Sequence, residues 1–156
     1  MSNSIEPSGS NLEEQTAEFT EGWEGFESCP YQDSGGTWTI GCGSTRDINN
    51  NPVTQDTPCI SKQEATDLLA RDLKSSFDVI AQDVSVPLTD NEKEALADFI
   101  YNVGQGNFAS STLLRLLNEG NYTEAAQQFL RWKYVHGQVI AGLLNRRVAE
   151  MKMFET

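Results

Sequence analysis

The sequence predicts an α+β fold that is mainly helical. Three observations carry that reading. Two short β-type runs bracket a Gly-rich turn near the N-terminus, apolar residues then recur at helical spacing towards the C-terminus, and a capping pattern precedes two of the helical stretches. Helices segregated from a small sheet are an established way to close one core. At 156 residues the chain can form one domain burying roughly 68–70% of its extended surface. Residues 1–10, rich in Ser, Asn, Gly and Pro, are expected to be a disordered tail, and 11–156 a single domain.

The elements follow in order. Leu12, Phe19, Trp23 and Phe26 give a partial helical stripe, with its stop expected near Phe26 because Gly22 and Gly25 weaken it. Cys29–Gln32 and Thr37–Gly41 read as β runs around Gly35 and Gly36, and a third short strand is expected near Thr57–Ile60 after the polar loop 44–58. Ser61 and Glu64 form a capping box before Ala65, Leu68, Leu69, Leu73, Phe77 and Ile80. Thr89 and Glu92 repeat it before Ala95–Val103, with Gly104 as the cap. Further helices are expected from Ser110 or Ser111 to Leu117, from about Thr123 to Trp132, and over Ile140–Phe154, about five helices after the sheet. A small β-hairpin lobe beside a helical lobe leaves a cleft between them, a natural seat for an elongated substrate.

Composition narrows the function. A net charge of −12 argues against nucleic acid as a partner, because phosphate binding needs clustered Lys and Arg. Solubility or adaptation to salt accounts for such acidity. No apolar run approaches the roughly 20 residues that span a bilayer, so stable membrane insertion is not expected. The N-terminus lacks a basic start and an apolar h-region, so no secretory signal is read there. No CxxC occurs and only one His, His136, exists, so no metal site is expected. Cys42 and Cys59 could meet on neighbouring strands, but in a reducing cytoplasm three free thiols, Cys29 included, are the favoured reading.

Chemistry concentrates in EGFESCPYQDSGGTWTIGCG, residues 24–43. Glu24 is followed after eight residues by Asp33, and after five more by Thr39. Each has an ordinary explanation alone: a solvated helix charge, a turn former, a strand residue. Together they sit at a helix end and on the hairpin that follows, so they can converge without long-range closure. Two carboxylates can divide acid and base roles, and a hydroxyl can orient a water, which is the equipment for glycosidic hydrolysis. Gly41 and Gly43 leave the backbone open to close approach by a ligand.

The frame Glu24-Gly25, Tyr31-Gln32-Asp33 and Thr39-Ile40-Gly41-Cys42-Gly43 resembles the phage-type lysozymes, the muralytic endolysins of tailed phages. FIYNVG at 99–104, Ser111 to Leu114, Arg131-Trp132 and GLLNRR at 142–147 with Glu150 extend the resemblance over nearly the whole chain. It implies a lysozyme-like fold and hydrolysis of the β-1,4 bond between N-acetylmuramic acid and N-acetylglucosamine, with lysis of the host. It further implies Glu24 as acid, Asp33 as stabiliser or base and Thr39 as holder of the water, with inversion at the sugar. No cofactor is implied. Tyr31 is implied as a substrate-binding or supporting residue, Tyr101 and Asn102 match cleft-lining positions, and Arg146 best matches an arginine that faces the catalytic Glu. Peptidoglycan is the implied partner, a monomer the implied state, and the host cytoplasm with holin-assisted release to the wall the implied localisation. One departure stands out: relatives carry an aromatic residue and then a His where this chain has Cys42 and Ser44.

Rival chemistry is thin. A serine, cysteine or zinc hydrolase would depend on His136, far from any matching motif. No Gly cluster matches a P-loop or dinucleotide fingerprint. A lysozyme-fold glycan-binding or virion structural module would have no reason to keep Glu24, Asp33 and Thr39 together. A lytic transglycosylase would share the Glu but not need a water-positioning pair.

Overall fold

The computed structural model describes residues 8–156, with side chains from Leu12 onward. Most of the expected tail lies outside the described residues, and 8–10 already belong to the first helix. Helices predominate, with two two-stranded antiparallel sheets. The chain divides into two compact units, up to Lys74 and from Ser75 onward.

The first unit holds α1 (Ser8–Glu24), β1 (Glu27–Gln32), β2 (Trp38–Gly41), a long polar loop and the start of α2 (Lys62–Asp83). α1 ends at Glu24, two residues earlier than expected, just ahead of Gly25. β1 and β2 pair antiparallel with Tyr31 opposite Thr39 and Gln32 opposite Trp38, and the register shifts between Glu27 and Tyr31. Pro30, which has no N–H to give to a ladder, lies inside that irregular stretch. Ile40, Val53 and Leu68 form a small buried cluster with Trp38 and Ile60 against it. Gly41 is required where β2 crosses α2: its φ is 70°, and a Cβ there would stand 3.2 Å from the Ala65 Cβ. α2 opens with the expected capping box, Glu64 N–H donating to Ser61 Oγ (3.1 Å) and Ser61 N–H to Glu64 Oε1 (2.8 Å).

Two expectations need correction here. Residues 57–60 form no strand; instead Ile60 N–H donates to the Ser28 carbonyl (2.9 Å) and Ser28 Oγ to the Ile60 carbonyl (2.7 Å). Beside these bonds Cys29 and Cys59 are joined in a disulfide, and Cys42 is the free, buried thiol. The favoured reading of three free thiols therefore fails, as does a bridge involving Cys42. Cys42 lies one residue beyond β2 and is buried, whereas Cys29 and Cys59 are brought together at the surface by the Ser28–Ile60 pairing.

The second unit holds the rest of α2, then α3 (Asp90–Val103), α4 (Gln105–Ala109), α5 (Thr112–Asn118), α6 (Tyr122–Gln128) with a 3-10 turn over Phe129–Arg131, β3 (Tyr134–Val135), β4 (Gln138–Val139) and α7 (Ala141–Glu155). Thr89 and Glu92 close the second capping box, and Ser111 caps α5 through Leu114 N–H at 3.0 Å. α3 is the buried axis of this unit. Phe99 on it meets Phe108, Phe129 and Trp132 edge-on, with centroids 6.4, 5.3 and 5.5 Å away. The short α4 and the β3–β4 hairpin were not anticipated. His136 and Gly137, with φ of 50° and 79°, supply the paired positive φ values that a tight two-residue hairpin turn needs. No helix among the described residues is long and apolar enough to cross a membrane.

Candidate active site

Glu24, Asp33, Thr39, Tyr31, Gly41 and Gly43 all lie in the first unit. Glu24 is the last residue of α1 and is half-buried. Asp33 opens the β1–β2 turn. Its Oδ1 accepts from the N–H groups of Gly35 and Thr37, both at 2.9 Å, while its own backbone N–H donates to the Thr37 carbonyl at 2.9 Å. An Asx turn of this kind fixes the carboxylate by one oxygen. Asp33 Oδ2 makes no hydrogen bond among the described residues and is exposed with the turn.

Thr39 follows on β2, only 4% exposed. Its hydroxyl donates to the Thr37 carbonyl at 2.9 Å. With the proton committed there, the oxygen lone pairs remain to accept a hydrogen from water. The pairing register places Tyr31 opposite Thr39. Burial raises the Tyr31 phenol above its ordinary value, and the negative charges of Glu27, Asp33, Cys42 and Glu24 raise it further. Burial likewise raises the Cys42 thiol, with Glu21 and Glu24 adding and Lys62 opposing. Cys42 is thus a packed thiol rather than a nucleophile.

Ser44 is buried and donates its hydroxyl to Asp72 Oδ2 at 2.5 Å. Asp72 Oδ1 is held by Arg71 Nη2 at 2.8 Å, and Arg71 reaches on to the carbonyls of Arg46 and Asp47. This network ties the chain leaving β2 to α2 without an imidazole. Asp72 and Arg71 were not singled out from the sequence; their spacing from Ser44 carries no local signal.

Tyr101, Asn102 and Arg146 lie in the second unit. Asn102 Oδ1 accepts from Arg147 Nη2 at 2.8 Å. Arg146, 5% exposed, donates through Nε and Nη2 to the two oxygens of Asp98, each at 2.9 Å. Arg147 and Glu150 are sealed beside this pair, and Arg147 Nε stands 2.8 Å from Glu150 Oε1 without hydrogen-bond alignment. The Arg147 guanidinium also lies 5.1 Å from the centre of the Phe99 ring. Asp98 and Arg147 were missed in the sequence. The available signal was a carboxylate inside the apolar run Ala95–Ile100, which demands a buried partner.

Known proteins resemble this chain over most of its length. Residues 21–150 match the phage lysozyme family. The endolysin of Salmonella phage P22 is 40% identical over 131 residues, 84% of this chain and 88% of that protein. The SAR-endolysin of Escherichia phage Mu is 39% identical over 132 residues, 84% of this chain and 73% of that protein. Among solved structures, a P22 lysozyme mutant superposes with a TM-score of 0.78 at 35% identity, covering 97% of this chain and 98% of that one. The muramidase domain of SpmX from Asticaccaulis excentricus gives 0.76 at 31% identity, covering 99% of both. The matched span includes Glu24, Asp33, Thr39 and the Arg146–Glu150 segment, so the chain belongs to the phage lysozyme family and is a muralytic glycoside hydrolase.

Proposed function

We propose that this chain cleaves the β-1,4 bond between N-acetylmuramic acid and N-acetylglucosamine, with Glu24 as general acid, Asp33 as the charge-stabilising or water-directing carboxylate, and Thr39 as the water holder. The observation that carries the proposal is the hairpin geometry. Asp33 keeps one oxygen in the turn and offers the other outward, while Thr39 spends its proton on Thr37 and keeps its lone pairs for a water. A water bridging Asp33 Oδ2 and Thr39 Oγ1 donates one hydrogen to each and turns its oxygen lone pair towards the sugar. Glu24 protonates the leaving oxygen as the sugar gains oxocarbenium character. Tyr31 and the exposed backbone at Gly43 support the substrate, and Tyr101, Asn102 and Arg146 are assigned supporting roles by resemblance; Gly41 is buried against Ala65 of α2, so the expectation that it lies open to a ligand does not hold.

The reaction takes place in the cell wall. A disulfide between Cys29 and Cys59 suits an oxidising compartment such as the periplasm. Release from the host cytoplasm through a separate holin, as a monomer acting on peptidoglycan, completes the reading.

Turbidity loss of purified peptidoglycan decides it. Glu24→Gln is expected to slow clearing by about 10³-fold, the middle of the range for a lost general acid. Equal clearing by wild type and Glu24→Gln would refute the assignment, and 1,6-anhydro ends throughout the products would replace hydrolysis by transglycosylation.

A further inference from the structure

A cavity of about 420 Å³ lies wholly within the first unit, between the loop that follows β2 and the opening turns of α2. Its floor is apolar: Ile40, Ile60 and Leu68 form it, beside the exposed Cys59 of the disulfide. Ile40 follows Thr39 directly on β2, and successive side chains of a strand point to opposite faces. The cavity therefore opens on the face of the hairpin away from Thr39, and neither Glu24 nor Asp33 lines it.

Three carboxylates ring that floor, those of Asp47, Glu64 and Asp67, and no lysine or arginine among the described residues lines it. Each carboxylate is pinned through one oxygen. Asp47 Oδ1 accepts from the N–H groups of Asn49 (2.9 Å) and Asn51 (3.0 Å), Glu64 Oε1 from Ser61 N–H (2.8 Å), and Asp67 Oδ1 from Gln63 Nε2 (3.0 Å). The second oxygen of each has neither hydrogen bond nor ion pair among the described residues. Neighbouring cations are engaged elsewhere: Lys62 lies 3.9 Å from Glu21, and Arg71 pairs with Asp72 at 2.8 Å. The negative field continues along α1, where partial burial and then the charges of Asp67, Glu18 and Glu13 push the Glu14 carboxyl up. At the mouth of the cavity Ile48, a large apolar side chain, is 67% exposed.

We propose that this cavity docks a basic, apolar segment of a partner protein, in which leucine-sized side chains enter the cavity while flanking lysines or arginines meet Asp47, Glu64 and Asp67. A concave apolar floor with a few placed polar groups is the usual form of a binding site. Charge complementarity selects a cationic occupant, because three half-used carboxylates stand over that floor without a counter-charge. A small organic cation would satisfy them but leave Ile48 in water, whereas a segment crossing the mouth covers it. Docking there leaves the Thr39 face of the hairpin free for the glycan.

Fluorescence anisotropy on the full chain tests the site, with a labelled short peptide of alternating lysine and leucine as the probe. Saturable binding is expected. Affinity should fall about tenfold or more when serine replaces leucine in the peptide, and again when Ile48→Ser removes the apolar mouth. Glu64→Gln combined with Asp67→Asn keeps the oxygens that accept from Ser61 and Gln63, and should also weaken binding about tenfold or more. Asp90→Asn combined with Glu124→Gln, an equal change of charge in the second unit, should leave affinity within about twofold. No saturable binding, equal binding of the lysine–serine peptide, or equal losses in the two double variants would overturn the site. The last two results would reduce it to attraction between a polycation and a chain of net charge −12. Hexylammonium binding as tightly as the peptide would give the cavity to a small amine, and self-association on sedimentation that Ile48→Ser abolishes would give it to a second copy. Either result overturns the partner segment.

Discussion

Two groups of charges in this molecule are held in opposite ways. On the β1–β2 hairpin, Asp33 is exposed and oriented by backbone N–H groups, which bind one of its oxygens and leave the other to solvent. In the α3–α7 packing, Asp98, Arg146, Arg147 and Glu150 are sealed from water and held by one another. The first arrangement costs little folding energy and leaves one carboxylate oxygen open to solvent. The second depends on every partner, because a charge in low dielectric is tolerable only when paired. Chemistry is therefore expected to be lost first on the hairpin, and stability first in the buried cluster.

The sharpest test of that contrast is Asp98→Ala. It leaves the Arg146 guanidinium buried without its two-pronged partner, and should lower unfolding free energy by about 3–5 kcal/mol. Urea denaturation measures it. A loss below about 1 kcal/mol would mean the cluster relaxes or admits water, and the comparison would break.

Asp33→Asn is the complementary change on the hairpin. The amide oxygen of Asn can still accept from Gly35 and Thr37, so stability should shift by less than about 0.5 kcal/mol. The outward group loses its charge, and activity should fall about 10²-fold. Asp33→Ala would add the loss of the turn, about 1 kcal/mol. If Asp33→Asn clears peptidoglycan like wild type while Asp33→Ala does not, Asp33 serves the turn alone.

The same contrast explains what could be read from the sequence. Glu24, Asp33 and Thr39 lie within sixteen residues, on the end of α1 and the hairpin that directly follows it, so their placement on neighbouring elements is set locally. The caps at Ser61–Glu64 and Thr89–Glu92 are local as well, and both formed as read. Asp98 and Arg146 are separated by 48 residues, and Cys29 and Cys59 by 30, so their pairing depends on packing that no short spacing encodes. Position 44 shows the limit from the other side. Ser44 meets Asp72 directly, a contact 28 residues away that the motif does not contain. The β3–β4 hairpin was missed because its strands are two residues each and its turn is His-Gly rather than Asn-Gly.

The smallest effect concerns pH. Glu150 is raised well above 4.5, first by burial and then by its hydrogen bond and charge interaction with Asp98, against the opposing pull of Arg147 and Arg146. The folded state thus holds a proton that the unfolded state releases near 4.5. That contribution to stability is fully present below 4.5 and is lost as pH rises through the higher folded value. In Glu150→Gln the side chain is neutral at every pH, so the melting temperature above pH 4.5 should fall less steeply than in wild type. Thermal unfolding followed from pH 4.5 to 8 gives both slopes. Parallel slopes would show that Glu150 ionises in the folded protein as readily as in the unfolded chain, in which case the two arginines stabilise its charge as effectively as water does, and the buried cluster would differ from the hairpin in location but not in the cost of holding charge.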